Sequence, residues 1–393
     1  MGIGRSMRIL RSSICPSALE IKGTRNSTSC IAGLFITNKI TSVTKRRKKI
    51  PRSFKKTKPK STWHSILTGM EAATVKGYSH KSAFQKRKPE VNRIWDNREE
   101  FCAIMEAMIR DGQYKVGKYR YFVLRDRKKS RNISVLPFKD RCVQNDIKDS
   151  IEDILMRQMD DCMLGGLPDR GVLSTVPRYS VVRQMKRILK RADLKYYIQA
   201  DVRKFYDSID NKIVMRILEK YIHDKRTLAI IKEHLFNQKR LAIGDPFSHL
   251  LANLVMSRLV HHIRQLWPGL AIVNYADDFF IASDSKDTLK SILREMKKFA
   301  GHHLRLKFKR VYIRPILESV PIIFCGFKYT RNAVFLTKRT KEKYIRSRHK
   351  SRSIGSYNGI LSVASTKNLR KVVETYDNGR KQSPTNFCNA KKK

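Results

Sequence analysis

Two short apolar runs separated by four residues, 270–274 (LAIVN) and 279–282 (FFIA), constrain this chain more than any other stretch. Each run has strand length and strand composition, and the Tyr275-Ala276-Asp277-Asp278 link has turn length. The segment therefore predicts a β-hairpin with two adjacent carboxylates at its tip. Successive strand side chains face opposite ways, so both carboxylates serve one centre only if the tip is tightly bent. The residues alone leave two readings open. One is a solvated turn, where Asp bonds its own backbone; the other is a pair of oxygen ligands.

A second carboxylate lies at the end of another apolar run. Residues 196–200 (YYIQA) predict a buried strand leading directly into Asp201-Val202-Arg203-Lys204-Phe205-Tyr206-Asp207. A carboxylate in that position is costly to bury without a partner. A divalent cation would supply one: Asp201 with Asp277 and Asp278 gives three hard oxygen ligands, the kind of set that holds Mg²⁺ on substrate phosphates. Two such ions roughly 3.5–4 Å apart would stabilise the attacking and the leaving oxygen of a phosphoryl transfer, and Mn²⁺ suits the same ligands.

Charge narrows the partner. Lys and Arg number 84 against 34 Asp and Glu in 393 residues, a formal net charge of +50. Such an excess repels itself in a compact chain unless a polyanion is present, and nucleic acid is the obvious counter-charge. A ribosomal-type or architectural basic protein would also be basic. It would not need the 41% hydrophobic residues found here, which suffice for a sizeable core. Length suggests two or three domains or subdomains. The seven Cys include no CxxC pair, so neither a zinc site nor a disulfide framework is expected, and the odd count suits a reducing cytosol. The pairs His261-His262 and His302-His303 read as solvated helix faces. Residues 165–171 (GGLPDRG) are glycine-rich but lack the Gly-Lys-Ser/Thr of a phosphate loop. No apolar run approaches the ~18 residues of a membrane span.

Residues 61–113 read as helical, with Phe101, Ile104, Met105 and Met108 on one face. Residues 119–124 and 132–136 form a predicted hairpin around the basic turn 125–131. Helices are expected at 211–221, at 227–236 and from Pro246 through Ile263, where Asp245 can cap and Pro246 suits the first helical position. An amphipathic helix follows at 284–300, then a strand at 304–313 (LRLKFKRVYI). Residues 1–60 carry one acid, Glu20, among many Lys and Arg, and read as a disordered basic arm adding non-specific affinity. A transit peptide or a later start at Met7 or Met70 remains open.

In order along the chain, DRCVQ (140–144), GGLPDRG, DVRKFYDSID (201–210), IGDPFSHLLAN (243–253), YADD with FFIAS, the strand through Tyr312-Ile313, and FCGF (324–327) resemble the motif series of the reverse transcriptases. The form is that of group II intron and related bacterial enzymes, and the resemblance covers roughly residues 114–368. It implies an α+β right-hand polymerase. Fingers are expected at 61–195, a palm with an antiparallel sheet at 196–330 and a helical thumb at 331–375, between the disordered arm at 1–60 and a basic tail at 376–393. Little chain remains after Asn368, so no appended nuclease domain is expected.

The resemblance also implies RNA-directed DNA synthesis, with Asp201, Asp277 and Asp278 as catalytic metal ligands for two Mg²⁺ or Mn²⁺ ions. Arg131, Arg170, Tyr206, Gly244, Lys309 and Arg310 would meet the nucleotide, Tyr206 as the aromatic ring that blocks a ribose 2′-hydroxyl. Of Lys309 and Arg310, strand alternation lets only one face the site. Ile243, Ser248, Asn253 and Gly326 would meet template and primer. An aliphatic residue at position 243 resembles diversity-generating retroelement enzymes, whereas intron-type enzymes have Gln there. Those retroelement enzymes usually have Gln after the Ser, where this chain has His249. The implied partners are an RNA template, a DNA or RNA primer, dNTPs and a small basic accessory protein, with no membrane, in the cytoplasm. Two rivals are an intron-type maturase and a non-catalytic basic RNA-binding protein with a polymerase fold.

Overall fold

The computed structural model describes residues 63–366, apart from 82, 127–128 and 348–350, together with residue 369. The expected arm at 1–60 and tail at 376–393 lie outside the described residues.

Helices come first, where the 61–113 pattern predicts them. They are α1 (Trp63–Ser79), α2 (Ala83–Lys86), α3 (Pro89–Asp96) and α4 (Arg98–Arg110). Proline opens α3, a position where its missing N–H costs nothing. The hairpin β1 (Arg120–Asp126) and β2 (Lys129–Val135) follows, antiparallel from Arg120↔Val135 to Asp126↔Lys129. It is longer than the apolar runs suggest, because the strands extend into the basic turn. Helix α5 (Phe138–Met156) buries Phe138, Cys142, Val143, Ile147, Ile151 and Leu155 at helical spacing, and α1 packs along it. Helix α6 (Val181–Leu189) is capped by Ser180.

The central sheet begins at β3 (Tyr196–Asp201), where the sequence predicts a buried strand. Then come α7 (Phe205–Ser208), α8 (Asn211–Leu218), α9 (Lys225–Phe236) and α10 (Pro246–Leu266), the last three capped by Asp210, Asp224 and Asp245. The predicted hairpin is β4 (Ala271–Tyr275) with β5 (Asp278–Ser283), followed by α11 (Lys286–Leu304) and β6 (Ile313–Pro315). The sheet order is β4-β5-β3-β6, antiparallel throughout. A second sheet is built from β7 (Ile322–Phe324), β8 (Phe327–Tyr329) and β9 (Val334–Leu336), before α12 (Lys338–Ser347) and α13 (Ser351–Val363).

The β4-β5-β3-β6 sheet is buried on both faces, which is why its strands read as continuous apolar runs. Ile198, Ala200, Phe279 and Ile281 enter one core with residues of α5, α8, α10 and α11. Tyr197, Val273, Phe280 and Ala282 enter a second core with α6, the β7–β9 sheet and α13. Fully burying a side chain such as Phe279 or Phe280 contributes about 1.5–3 kcal/mol. This alternation is what holds the β3 and β5 ends, and so their carboxylates, in register.

Two expectations are corrected. The strand at 304–313 is not one: Leu304 completes the apolar stripe of α11, Arg305 ends the helix at φ 56°, and Phe308 makes a single bridge to Val202 before β6. The boundary at residue 330 falls inside a sheet, because β9 pairs with β8 through Leu336.

Candidate active site

In the β3–β5 ladder Asp201 stands directly opposite Asp278, so both side chains leave the same face of the sheet. Tyr275 pairs with Asp278, which leaves Ala276 and Asp277 as a two-residue tip. The tip is as tight as two ligands require, and Ala276 takes φ 55° to make it so. A residue with a Cβ rarely adopts that conformation, at a cost of about 1–2 kcal/mol. Lys204 (φ 48°) and Cys325 (φ 47°) are held the same way in turns beside the carboxylates. Backbone strain thus gathers around this point, as it does at functional sites.

The tip is braced from inside. Asn274, fully buried, donates from Nδ2 to the Ala276 carbonyl (2.9 Å) and the Asp278 carbonyl (3.4 Å). Its own backbone is held by Cys162 O and Leu164 N, at 2.8 and 2.7 Å. Gly165 then passes so close that a Cβ there would lie 2.3 Å from Ala276 N. Neither Asn274 nor Gly165 is among the residues the sequence singles out. A buried Asn just before a tip is the one signal that could have found the first.

The carboxylates are not equivalent. Lys309 Nζ donates to Asp201 Oδ2 at 2.6 Å, and the Lys309 amide donates to the Asp201 carbonyl at 2.9 Å. Asp201 Oδ1 is buried with no hydrogen-bond partner. Burial pushes the Asp277 carboxyl above the usual range, and the Asp201 charge adds to this, while Lys309 and Arg131 oppose it. The hydrogen bond to Asp201 raises the Lys309 ammonium, helped by the charges of Asp277 and Asp278. Asp278 acts on the Cys325 thiol, raising it further above the level set by burial. Its charge therefore reaches both Lys309 and the β7–β8 turn.

Among the described residues no three His, Cys, Asp or Glu side chains form a ready-made metal cage. What the site offers is narrower: two mutually repelling carboxylates, one with an orphaned buried oxygen, and a third beside them. That donor set fits a hard cation such as Mg²⁺, which commonly takes one or two carboxylates and completes its shell with water and substrate phosphates. Asp201 and Asp277 are the residues that would hold it.

Of the other expected site residues, several gather here. Arg131, on β2 of the β1–β2 hairpin, is near enough to influence both Asp277 and Tyr206. Tyr206, on α7, is also within reach of the Asp277 charge. The Ile243 carbonyl accepts from Ser134 N of β2 at 3.3 Å, and Gly244 (φ 98°) lies under Ile133, so the hairpin is seated on this turn. Gly326, with Cys325, makes the two-residue β7–β8 turn, both at positive φ, which matches the twist of the strands.

Others are turned to different work. The Arg170 guanidinium donates to the carbonyls of Asp160 (2.5 Å) and Met163 (3.1 Å) and stacks on Tyr179. Buried Ser248 donates to the capping carboxylate of Asp245 at 3.1 Å, which Gln144 also meets. Buried Asn253 donates to Gly165 O and His249 O, both at 3.1 Å. Arg310 lies over the Tyr312 ring, so Lys309 is the cation that faces the carboxylates. Each of these four thus has an internal contact within the fold.

Residues 117–311 match the family described as reverse transcriptase (RNA-dependent DNA polymerase). No curated protein sequence matches. Among solved structures, the chain is similar to a telomerase from Candida albicans in complex with a fragment of telomeric RNA. The TM-score is 0.48 at 11% identity, over 70% of this chain and 56% of that one. It is also similar to an apo telomerase from Candida tropicalis, with TM-score 0.44 at 10% identity over 61% and 53% of the two chains. The chain thus spans little more than half the length of these structures. Residues 117–311, just under half of the chain, thus match a reverse transcriptase domain, and their antiparallel sheet backed by helices is the architecture such a domain implies.

Proposed function

We propose that this chain extends a primer along an RNA template, joining the primer 3′-oxygen to the α-phosphorus of a dNTP and releasing pyrophosphate. The observation that carries the reading is that Asp201 stands opposite Asp278 and acts electrostatically on Asp277, with Asp201 Oδ1 buried and without a hydrogen-bond partner among the described residues. Asp201 and Asp277 would hold a divalent cation there, which would supply charge neutralisation to the reacting oxygens. Asp278 orients and assists from the adjoining strand. Arg131 binds the triphosphate from the fingers hairpin, and Gly244 lets that hairpin approach. Lys309 is protonated at neutral pH and can pass from Asp201 to the departing pyrophosphate, neutralising or protonating it. The Tyr206 ring excludes a 2′-hydroxyl, and the turn at Gly326 borders the primer. Primer extension on poly(rA)/oligo(dT) with Mg²⁺ or Mn²⁺ tests the whole reading. dTTP-dependent extension is expected; none with either metal overturns it.

The retroelement type rests on Ile243. Its side chain can neither donate nor accept where a Gln would help hold the template–nucleotide pair, so one polar constraint on base geometry is missing. The resemblance to diversity-generating retroelement enzymes implies errors concentrated opposite template adenines. Sequencing cDNA made on a defined RNA should show such errors reduced by Ile243→Gln. A low, base-independent error rate untouched by the substitution would favour an intron-type enzyme instead.

A further inference from the structure

His249 belongs to no function described so far, yet it lies at the meeting point of three elements. Tyr206 Oη and His249 Nδ1 are 2.6 Å apart, with the two rings near-parallel. His249 Nε2 is 3.2 Å from the Gly165 carbonyl. These two contacts settle the proton positions. A carbonyl only accepts, so Nε2 carries the hydrogen and donates. Nδ1 is then bare and accepts from the Tyr206 hydroxyl. Burial supports the same state at both ends, lowering the imidazole and raising the phenol. Both groups stay neutral at physiological pH.

The imidazole is seated without freedom. A Cβ at Gly166, itself at φ 63°, would lie 1.7 Å from Nε2, so that position is glycine because the ring fills its side-chain space. Asn253 joins the Gly165 and His249 carbonyls through one amide group. The Gly165 backbone in turn presses on Ala276 at the carboxylate tip. A continuous path therefore runs from the Tyr206 hydroxyl through His249 and Gly165 to the turn that carries Asp277.

From this geometry we infer that His249 is the positioning residue of the sugar gate. It fixes the height of the Tyr206 ring relative to Asp277, and with it the discrimination between deoxyribose and ribose. The inference rests on the polymerase reading and on Tyr206 being the gate. A ring held at its hydroxyl end cannot tilt away from an incoming 2′-hydroxyl. Released from that bond, it can, and ribonucleotides gain access.

The test measures kcat and KM for dTTP and for UTP in primer extension. His249→Phe keeps a ring but cannot accept. Tyr206→Phe keeps the gate ring but cannot donate. Each should raise the UTP/dTTP ratio of kcat/KM by about 3- to 10-fold, the range that one ordinary hydrogen bond supports. The gain should lie mainly in KM for UTP. The double variant should exceed neither single one, because both remove the same contact. His249→Gln, which can still accept and donate, should recover most of the discrimination. Equal ratios for wild type and His249→Phe, with Tyr206→Ala opening the gate, would overturn the inference and leave the polymerase reading intact. Absence of extension by the wild type would overturn the polymerase reading itself. If His249→Phe fails to fold, Tyr206→Phe decides alone, and a wild-type ratio in that variant rejects the inference.

Discussion

Asp277 illustrates how a single side chain can work against the fold that carries it. Its carboxyl titrates above the ordinary value because of burial, and then because of Asp201. The ionised form is therefore the less favourable one in the folded chain. The stability this group contributes is present below the unfolded value and is lost as pH rises through the raised one. At neutral pH the folded state bears that cost. Asp277→Asn removes it, so the metal-free variant is expected to melt above wild type at pH 7 and to match it near pH 3. Primer extension by the same variant should fall by at least about 10³-fold, since several kcal/mol of charge stabilisation go with the ligand. Differential scanning calorimetry and an extension assay on one preparation check both halves. A variant that melts lower yet extends normally would reverse the assignment. The three carboxylates were legible in the sequence because chemistry-bearing residues interrupt apolar strands there. The residues that hold them were not. Asn274, Gly165 and His249 act through contacts such as Gly165 with His249, 84 positions apart. No local pattern reports such contacts.

At the scale of elements, the α1–α5 contact has a built-in pH dependence. Asp146 on α5 is buried, with Oδ2 lacking a partner, and faces Gly69 of α1, where a Cβ would be 1.9 Å from Oδ1. Desolvation, with Asp149 and Glu106 adding to it, raises this carboxyl to about 8. The sign is that of Asp277. Protonated Asp146 favours the fold, and the contribution fades as pH climbs from about 4 to about 8. Asp146→Asn keeps shape and removes the charge. It is expected to raise the melting temperature by several degrees at pH 8.5, where a change of 1 kcal/mol is worth about 2–4 °C, and to leave it unchanged near pH 4. Hydrogen exchange of α1 amides in the wild type should quicken over the same interval; identical melting of both proteins at pH 8.5 would refute the idea.

The helices α8 to α11 were legible for the reasons that make them form. Carboxylate and hydroxyl caps precede them, and α11 carries a clear apolar stripe. Failure came where one pattern served two elements. The alternation in 304–313 is shared by the last turn of α11, an extended stretch and the start of β6. The three-residue strands β7 to β9 are too short to display a period at all.

The whole molecule is governed by its charge of +50. Basic groups recur on the β1–β2 hairpin, near the carboxylates at Lys309, and along α12 with Lys338, Arg339, Lys341, Lys343 and Arg346. A surface that meets roughly 6–10 phosphates should lose about 10³–10⁵ in affinity between 50 and 200 mM salt. Fluorescence anisotropy with an RNA–DNA duplex measures that slope. Deleting residues 1–60 should flatten it while extension at low salt persists. A slope near zero would mean that recognition does not run through the backbone phosphates. Charge, core size and the ordered motifs made the fold class legible at this scale. The double-sided burial of the β4-β5-β3-β6 sheet was visible only as its trace, the continuous apolar runs.

The interlock between His249 and Gly166 has a consequence for descent. With histidine at 249, a side chain at 166 would require the imidazole to move, because the ring takes that space. With a smaller residue at 249 that contact is gone, and an alanine at 166 still bears the left-handed backbone cost of about 1–2 kcal/mol. The two positions are thus epistatic, and the order of change matters. A lineage that alters 249 first avoids displacing the imidazole, while one that alters 166 first does not. The pair is expected to persist or disappear together.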